Sequence, residues 1–180
     1  MTSPIVTAIS DEHRTIARLL DLIEQQMVIF GQAGTPDLEL LHLIMEYTRS
    51  YPDLYHHPKE DAIFKRLKER APESAAAVDR VLDEHARLPG ISREFSELVE
   101  RIIEDATVSR DHFLKVAKDY VGFQRSHMMH ETMEVLTAAL ACLTPQDWAD
   151  IERSVEARED PLVVDRQRYA RLSDLILHAA

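Results

Sequence analysis

Apolar residues recur along this chain at alternating intervals of three and four, the spacing that lays one face of a helix against its neighbours. In the first such stretch Ile9, His13, Ile16, Leu20, Ile23 and Met27 share the stripe. Ser3 followed by Pro4 suits a helix start and Gly31 a helix end, so a helix is predicted over Pro4–Gly31 with a turn through Gly31–Pro36. A second is predicted from Pro36 to about Arg70, carried first by Leu40, Leu41, Ile44 and Tyr47 and then by His56, Glu60, Ile63 and Leu67. Pro52 and Pro58 interrupt it, and because an interior proline removes a backbone hydrogen bond, a kink or restart is expected within Tyr51–Pro58. A third follows Ala71-Pro72 with Val78, Val81, His85 and Leu88, meets Pro89-Gly90 where a bend is expected, and resumes through Phe95, Leu98 and Ile102. A fourth begins near Ser109 and carries Phe113, Val116, Tyr120, Phe123, His127 and Glu131. Thr144-Pro145-Gln146-Asp147 then caps a short fifth helix, and Asp160-Pro161 introduces a sixth to about Leu177.

These elements predict an all-α fold, an antiparallel up-down four-helix bundle with two additional short C-terminal helices. Residues 1–143 are expected to form the bundle and 144–180 an extension packed on the same domain. A length of 180 residues with only 4 Gly fits one helix-rich domain, in which roughly 70% of the unfolded chain's surface can be buried without a disulfide framework. The single cysteine, Cys142, has nothing to pair with and points to a reducing compartment. The formal net charge of −11 disfavours phosphate backbones and anionic membrane faces, so neither nucleic acid nor membrane is an expected partner. No run of apolar residues is long enough to span a bilayer, and Met1-Thr2-Ser3-Pro4 is not the start of an export signal; a cytoplasmic protein is expected.

The anomaly lies in the stripes themselves, because each of the four long helices places a histidine where its apolar pattern assigns the core. The first and third share Asp-Glu-His, as Asp11-Glu12-His13 and Asp83-Glu84-His85, while the second and fourth share His-x-x-x-Glu, as His56 to Glu60 and His127 to Glu131. His13 and His85 are 72 residues apart, and His56 and His127 are 71 apart, as if a helical hairpin had been repeated. Laid along antiparallel helices at about 1.5 Å per residue, all six side chains reach one level of the bundle.

Four imidazoles and two carboxylates in a core need partners, since a buried polar group without one costs a few kcal/mol. Any one histidine is readily explained by a bond to a nearby carboxylate. As a set, imidazoles with carboxylates and no thiolates are the donors of iron, manganese or zinc. His-x-x-x-Glu puts a nitrogen and an oxygen on one helix face, and two such pairs with two more histidines are enough for two ions bridged by the carboxylates.

With these residues in place, the sequence resembles the hemerythrin-like family, the HHE cation-binding domains. The resemblance rests on Asp-Glu-His13, His56-His57-Pro58-Lys59-Glu60-Asp61, Asp-Glu-His85 and His127-Met-Met-His130-Glu131, and spans about residues 9 to 140. Segment 145–180 is similar to the tail of longer bacterial members. The resemblance implies that His13, His56, Glu60, His85, His127 and Glu131 ligate two iron ions in a non-haem di-iron centre, both glutamates bridging, with manganese or zinc as possible substitutes. His57 and Asp61 have the same spacing as His56 and Glu60, and a kink at Pro58 would turn His57 toward the metals instead. Oxygen-carrying members use a further histidine on the third helix, where this chain has Pro89, so both ions are expected to be open and reversible oxygen carriage is put in question. The function implied by the resemblance is that of a binding protein for oxygen, nitric oxide or iron itself, in sensing, iron handling or stress protection, and a monomer or homodimer is expected. The alternatives are a di-iron peroxidase or oxidase and a metal-free structural bundle.

The remaining residues carry weaker expectations. His42, His112 and His178 lie off the level of the site and are expected to be solvated or locally bonded, while His130 divides evenly between supporting the site and facing solvent. Glu12 and Glu84 are expected to face water, Tyr51, Tyr55, Tyr120 and Phe123 to pack in the core, and Met128, Met129 and Met133 to serve packing. A tyrosine near the metals would be able to donate to a bound diatomic. Leu162, Val163, Val164, Leu172, Leu175 and Ile176 offer an apolar face that would cover the bundle or mediate dimerisation.

Overall fold

The computed structural model describes residues 3–155 and 159–178, and every regular element among them is helical. Helix α1 is Pro4–Gly31, α2 Leu38–Ser50, α3 His57–Arg70, α4 Ala75–Ile103, α5 Arg110–His130, α6 Thr137–Cys142, α7 Pro145–Ser154, α8 Pro161–Val164 and α9 Ala170–His178. Two wide π-helical turns, Pro52–His56 and Glu131–Leu136, join α2 to α3 and α5 to α6. Helix α1 packs on α5, α2 on α4, and α4 on both α3 and α5.

Local sequence explains the ends of these helices. Asp37 accepts from the backbone N–H of Leu40 at the start of α2, and Ser109 from that of His112 at the start of α5. Thr144 and Asp147 form a reciprocal capping box on α7. Beyond α1 the chain reverses so tightly that the Gly34 N–H donates to the Ile29 carbonyl at 2.9 Å, and a Cβ at Gly34 would stand 2.9 Å from that same oxygen. Helix α4 runs through Pro89 and Gly90 as one element. The missing N–H of Pro89 leaves the His85 carbonyl without its helical donor, and the packing of Leu88 and Phe95, both fully buried, carries the helix past that defect.

The C-terminal segment departs from the expectation of two short helices. Among the described residues it contains three, because the element expected from Asp160 to about Leu177 is divided into α8 and α9. Asp165 ends the first piece, its carboxylate accepting from the Arg168 N–H in an Asx-type turn that competes with helix continuation. The segment's apolar face is largely used within the chain: Leu172 and Ile176 are buried, Leu162 and Leu175 pack beside them, and Val163 and Val164 stand exposed. Arg171 pairs with Asp37, and Arg18 donates to the Ile176 carbonyl at 2.7 Å, tying α9 to α1 and the start of α2. His178 lies outside the residues whose side chains are described. Met129 and Met133, expected to pack, are 54% and 69% exposed.

Apolar burial falls into two clusters rather than one. The larger joins Leu20, Ile23, Leu41, Ile44, Phe95, Phe113 and Tyr120 with the C-terminal Tyr169 and Leu172, and the smaller joins Ile9, Ile63, Phe64, Leu67, Val78 and Val81 with Leu136 and Ile151. The histidines and glutamates singled out in the sequence lie at the level where the stripe of each long helix passes from one cluster to the other.

Because Leu172 is fully buried against the larger cluster, Leu172→Ala is expected to destabilise the whole chain by about 2–5 kcal/mol in denaturant titration. An unchanged midpoint would show that α9 does not contribute to the bundle's stability.

Candidate metal centre

The site is assembled from the bundle's polar layer. His13 comes from the middle of α1, His56 and His57 from the junction of the first π-turn with α3, Glu60 from α3, His85 from α4, His127 from the end of α5, and Glu131 from the start of the second π-turn. Glu60 and Glu131 are completely buried, His56 and His127 are 1% exposed, and His13 is 11% exposed. Every residue expected at the site from the sequence is therefore brought to one place.

Each glutamate faces three imidazoles. Glu60 Oε1 lies 3.1 Å from His13 Nε2, and Glu60 Oε2 lies 3.3 Å from His56 Nε2 and 3.6 Å from His85 Nε2. Glu131 Oε1 lies 2.8 Å from His85 Nε2 and 3.2 Å from His127 Nε2, while its Oε2 lies 3.2 Å from His13 Nε2. The two carboxylates thus sit between histidines from opposite sides of the bundle.

His57 is the residue whose position the sequence left open. In a regular helix consecutive side chains diverge by about 100°, so neighbours seldom share a target. Here Pro52 and Pro58 each withhold an N–H, and the chain widens: the Tyr51 carbonyl meets the N–H groups of Leu54, Tyr55 and His56, and the His57 N–H reaches back to the Pro52 carbonyl. The turn brings both histidines inward. The His57 ring centroid lies 5.3 Å from His56, 4.6 Å from His85 and 5.6 Å from His127. Asp61, its expected companion, turns the other way and accepts from His85 Nδ1 at 2.6 Å.

That contact belongs to a pattern. His56 Nδ1 meets Glu12 at 2.6 Å, His85 Nδ1 meets Asp61 at 2.6 Å, His127 Nδ1 meets Glu84 at 3.0 Å, and His57 Nδ1 lies 3.8 Å from Asp53. A carboxylate on Nδ1 fixes the ring and aims the Nε2 lone pair inward, the usual support of a metal-bound imidazole. Glu12 and Glu84, expected in water, are only 12% exposed and have this role instead. The internal repeat held the signal: each glutamate precedes a stripe histidine and reaches the histidine of the next His-x-x-x-Glu pair. Each also holds a second partner three residues beyond that histidine, Lys59 for Glu12 and His130 for Glu84.

Burial and charge act against each other throughout the cluster. Burial alone would discharge His13, but Glu131 and Glu60 outweigh it and raise its pKa to about 10. His85 is likewise raised to about 10, with Asp61 and Glu131 overcoming burial. Burial disfavours the Glu60 charge, yet His56 and His13 hold it well below the ordinary carboxylate range. His57 goes the opposite way: burial, then the neighbouring His85 and His56, push it well below 6.5 and keep it neutral.

Besides Asp53 Oδ1 and Ser92 Oγ, the buried polar side-chain atoms with no hydrogen bond among the described residues belong to the candidate ligands: His13 Nε2, both oxygens of Glu60, His127 Nε2 and Glu131 Oε2. These ligand atoms point into the same space. Three overlapping donor sets with atoms within 4.8 Å of one another occupy it: His57, His85 and His127; His13, His56 and Glu60; and Glu60, His85 and Glu131. Neutral imidazole nitrogens and carboxylate oxygens suit iron, manganese or zinc, so these residues fit a metal cation.

With no metal bound, the raised pKa values of His13 and His85 set the sign of the pH dependence. Their contribution to stability is complete below pH 6.5 and is lost as pH rises through about 10, whereas that of His57 is lost as pH falls below 6.5. Chelator-treated protein is therefore expected to lose stability on the alkaline side, measurable as a falling urea midpoint. Metal uptake at neutral pH should release protons to an unbuffered solution.

A family model described as the hemerythrin HHE cation binding domain matches residues 5–139. No curated protein and no solved structure matches the chain. The matched span contains every histidine and carboxylate of the candidate site, and this chain belongs to the hemerythrin family of HHE cation-binding domains.

Proposed function

We propose that the protein holds two iron ions in a non-haem di-iron centre and binds a small diatomic ligand, oxygen or nitric oxide, at one of them. The observation that carries this reading is the overlap of the three donor sets. Glu60, His85 and Glu131 form a set that shares Glu60 with one of the others and His85 with the other, so the donors are continuous and two carboxylates lie between the two groups of imidazoles, where they would serve two ions. The long helical stretches, arranged up and down, supply these donors from opposite sides of one layer.

The donor count is uneven. His57, His85 and His127 gather on one side, and His13 and His56 on the other. In this reading one ion receives three imidazoles and the other two, both sharing Glu60 and Glu131, so the second is the one left open to a ligand. The sequence expectation that both ions would be open because Pro89 replaces a histidine on the third helix is revised on this basis: His57 supplies the fifth imidazole.

When bound, iron would supply a redox-active open position at which a diatomic ligand coordinates. The chain's own residues do the rest. Glu12, Asp61 and Glu84 orient the imidazoles, the two apolar clusters wall off bulk water, and manganese or zinc would be accepted by the same donors. No helix among the described residues is long and apolar enough to cross a membrane. Iron handling, sensing and stress protection are all compatible with such a centre. Peroxide turnover is the second reading, favoured by Tyr51, which sits one carboxylate away from His56.

Elemental analysis of protein grown with iron should find about two ions per chain. His56→Ala with Glu60→Ala should abolish binding, and His57→Ala should lower the stoichiometry. Asp61→Ala should keep the stoichiometry and weaken affinity by roughly 10–100-fold. Metal retained in full by the His56→Ala, Glu60→Ala variant would overturn the ligand assignment. Chelation should also lower the melting temperature; an unchanged temperature would favour the metal-free bundle.

A further inference from the structure

The polar layer does not end at the imidazoles. Tyr51 donates from its phenol to Glu12 Oε1 at 3.0 Å, and the other oxygen of Glu12 meets His56 Nδ1 at 2.6 Å. The Tyr51 ring stacks on Tyr47 with centroids 6.1 Å apart and planes 26° apart, and Tyr47 meets Tyr169 edge-on at 5.8 Å. All three rings are buried, at 1% to 3% exposure. Tyr47 donates to Asp160 Oδ2 at 3.0 Å, and Tyr169 to Glu46 Oε1 at 3.5 Å. Glu46 is half-buried and pairs with Arg168, which is exposed at the surface.

We propose that Tyr51, Tyr47 and Tyr169 form a relay that carries one-electron oxidation from the metal centre to the surface beneath the C-terminal segment, with hydrogen peroxide as the oxidant. The proposal rests on the reading that the site holds iron. Three features support it. The rings touch in series, so an electron passes between aromatic neighbours without crossing aliphatic core. Every phenol in the series donates to a carboxylate, which is what oxidation of a phenol requires, because the phenoxyl radical is neutral and the proton must go to an acceptor within reach. Phenylalanine would fill the same volume without a buried polar group to satisfy. Burial, reinforced by Asp160 at Tyr47 and by Glu12 at Tyr51, raises the phenol pKa values, so each proton stays in place until its electron leaves.

The balance is simple. Reduction of peroxide to two waters takes two electrons and two protons. If the centre were to give one electron, Tyr51 would give the other: its O–H bond breaks, the electron goes to the centre and the proton to Glu12, while the two protons that complete the waters come from solvent. The Tyr51 radical then takes an electron from Tyr47 and recovers its proton from Glu12, as the Tyr47 proton passes to Asp160. The same exchange moves the oxidation to Tyr169, with its proton on Glu46. Two electrons from a one-electron reductant at the surface close the sequence: the first restores the Tyr169 phenol, with the proton returned from Glu46, and the second travels the same series to restore the centre. A donor too large to enter a site whose glutamates are wholly buried can thereby reduce it.

The test uses the full chain loaded with iron, its metal content measured, mixed with hydrogen peroxide and frozen for electron paramagnetic resonance. A tyrosyl radical is expected, narrowed by ring-deuterated tyrosine and lost in Tyr51→Phe. In Tyr47→Phe the radical should form but no longer be quenched rapidly by ascorbate. Fully loaded wild-type protein without a tyrosyl radical, or the same radical in iron-loaded Tyr51→Phe, would overturn the relay and leave the metal site standing. Wild-type protein that binds no iron would overturn both. Should Tyr51→Phe fail to fold, deuterium labelling of the wild type and the ascorbate response of Tyr47→Phe decide the matter. Ascorbate quenching unchanged by Tyr47→Phe, like a radical insensitive to the label, would count against it.

Discussion

Two glutamates buried to zero exposure in the middle of a helical bundle are the constraint on which the rest of the structure depends. Taking a carboxylate out of water costs several kcal/mol unless charge and hydrogen bonds are supplied where it comes to rest. Glu60 and Glu131 obtain that compensation from one another's histidines: each faces three imidazoles, and His13 and His85 face both. With no metal bound, protons held on His13 and His85 balance the two charges; with metal bound, cations replace those protons. The same cluster thus accepts either form of positive charge, and its pairing with carboxylates on the outer nitrogens keeps the rings aimed inward in both. A helix carrying such a polar level cannot have an uninterrupted apolar stripe, which accounts for the division of the core into two clusters.

Most helix boundaries, and the convergence of the six polar residues singled out on the stripes, are legible in the sequence because both depend on local rules. The three-and-four spacing identifies a face, and a histidine on an apolar face announces a polar level within the core. The repeat, with its near-equal offsets, is enough to bring four helices into one register. The Nδ1 partners are not legible in the same way because they depend on contacts between helices: nothing in Asp11-Glu12-His13 alone shows that Glu12 reaches His56 on another helix. Yet Glu12 and Glu84 occupy matching places in the two halves, and that equivalence is a clue that charge and exposure statistics obscure. The division of the last helix is hidden for a different reason. Asp165 can continue a helix or end one through its own side chain, and a short terminal element has too little packing to settle the choice in advance.

The C-terminal segment is joined to the centre by more than apolar contact. Asp160 accepts both from the Leu162 N–H, where it starts α8, and from the Tyr47 phenol. Tyr169, at the start of α9, sits against the same Tyr47 ring. Helix nucleation in the extension and the environment of a tyrosine three contacts from the histidines are therefore held by shared groups. A segment that only covered apolar surface would not need a carboxylate half-buried against a phenol.

His57 shows how local backbone geometry can replace a sequence pattern. An α-helix brings two side chains to one target by spacing them three or four apart, and a histidine four residues after His85 would meet that need on α4. Pro89 occupies that position here. On the second helical stretch two prolines open the backbone by one residue per turn, and the wider turn does for adjacent residues what the normal turn does for residues four apart: His56 and His57 both face the cluster. Pro52 and Pro58, which by helix propensity are defects, are thus the reason the layer gathers five imidazoles rather than four. That added imidazole is what makes the two sides of the site unequal: His57 gathers with His85 and His127 on one side, and His13 stands with His56 on the other.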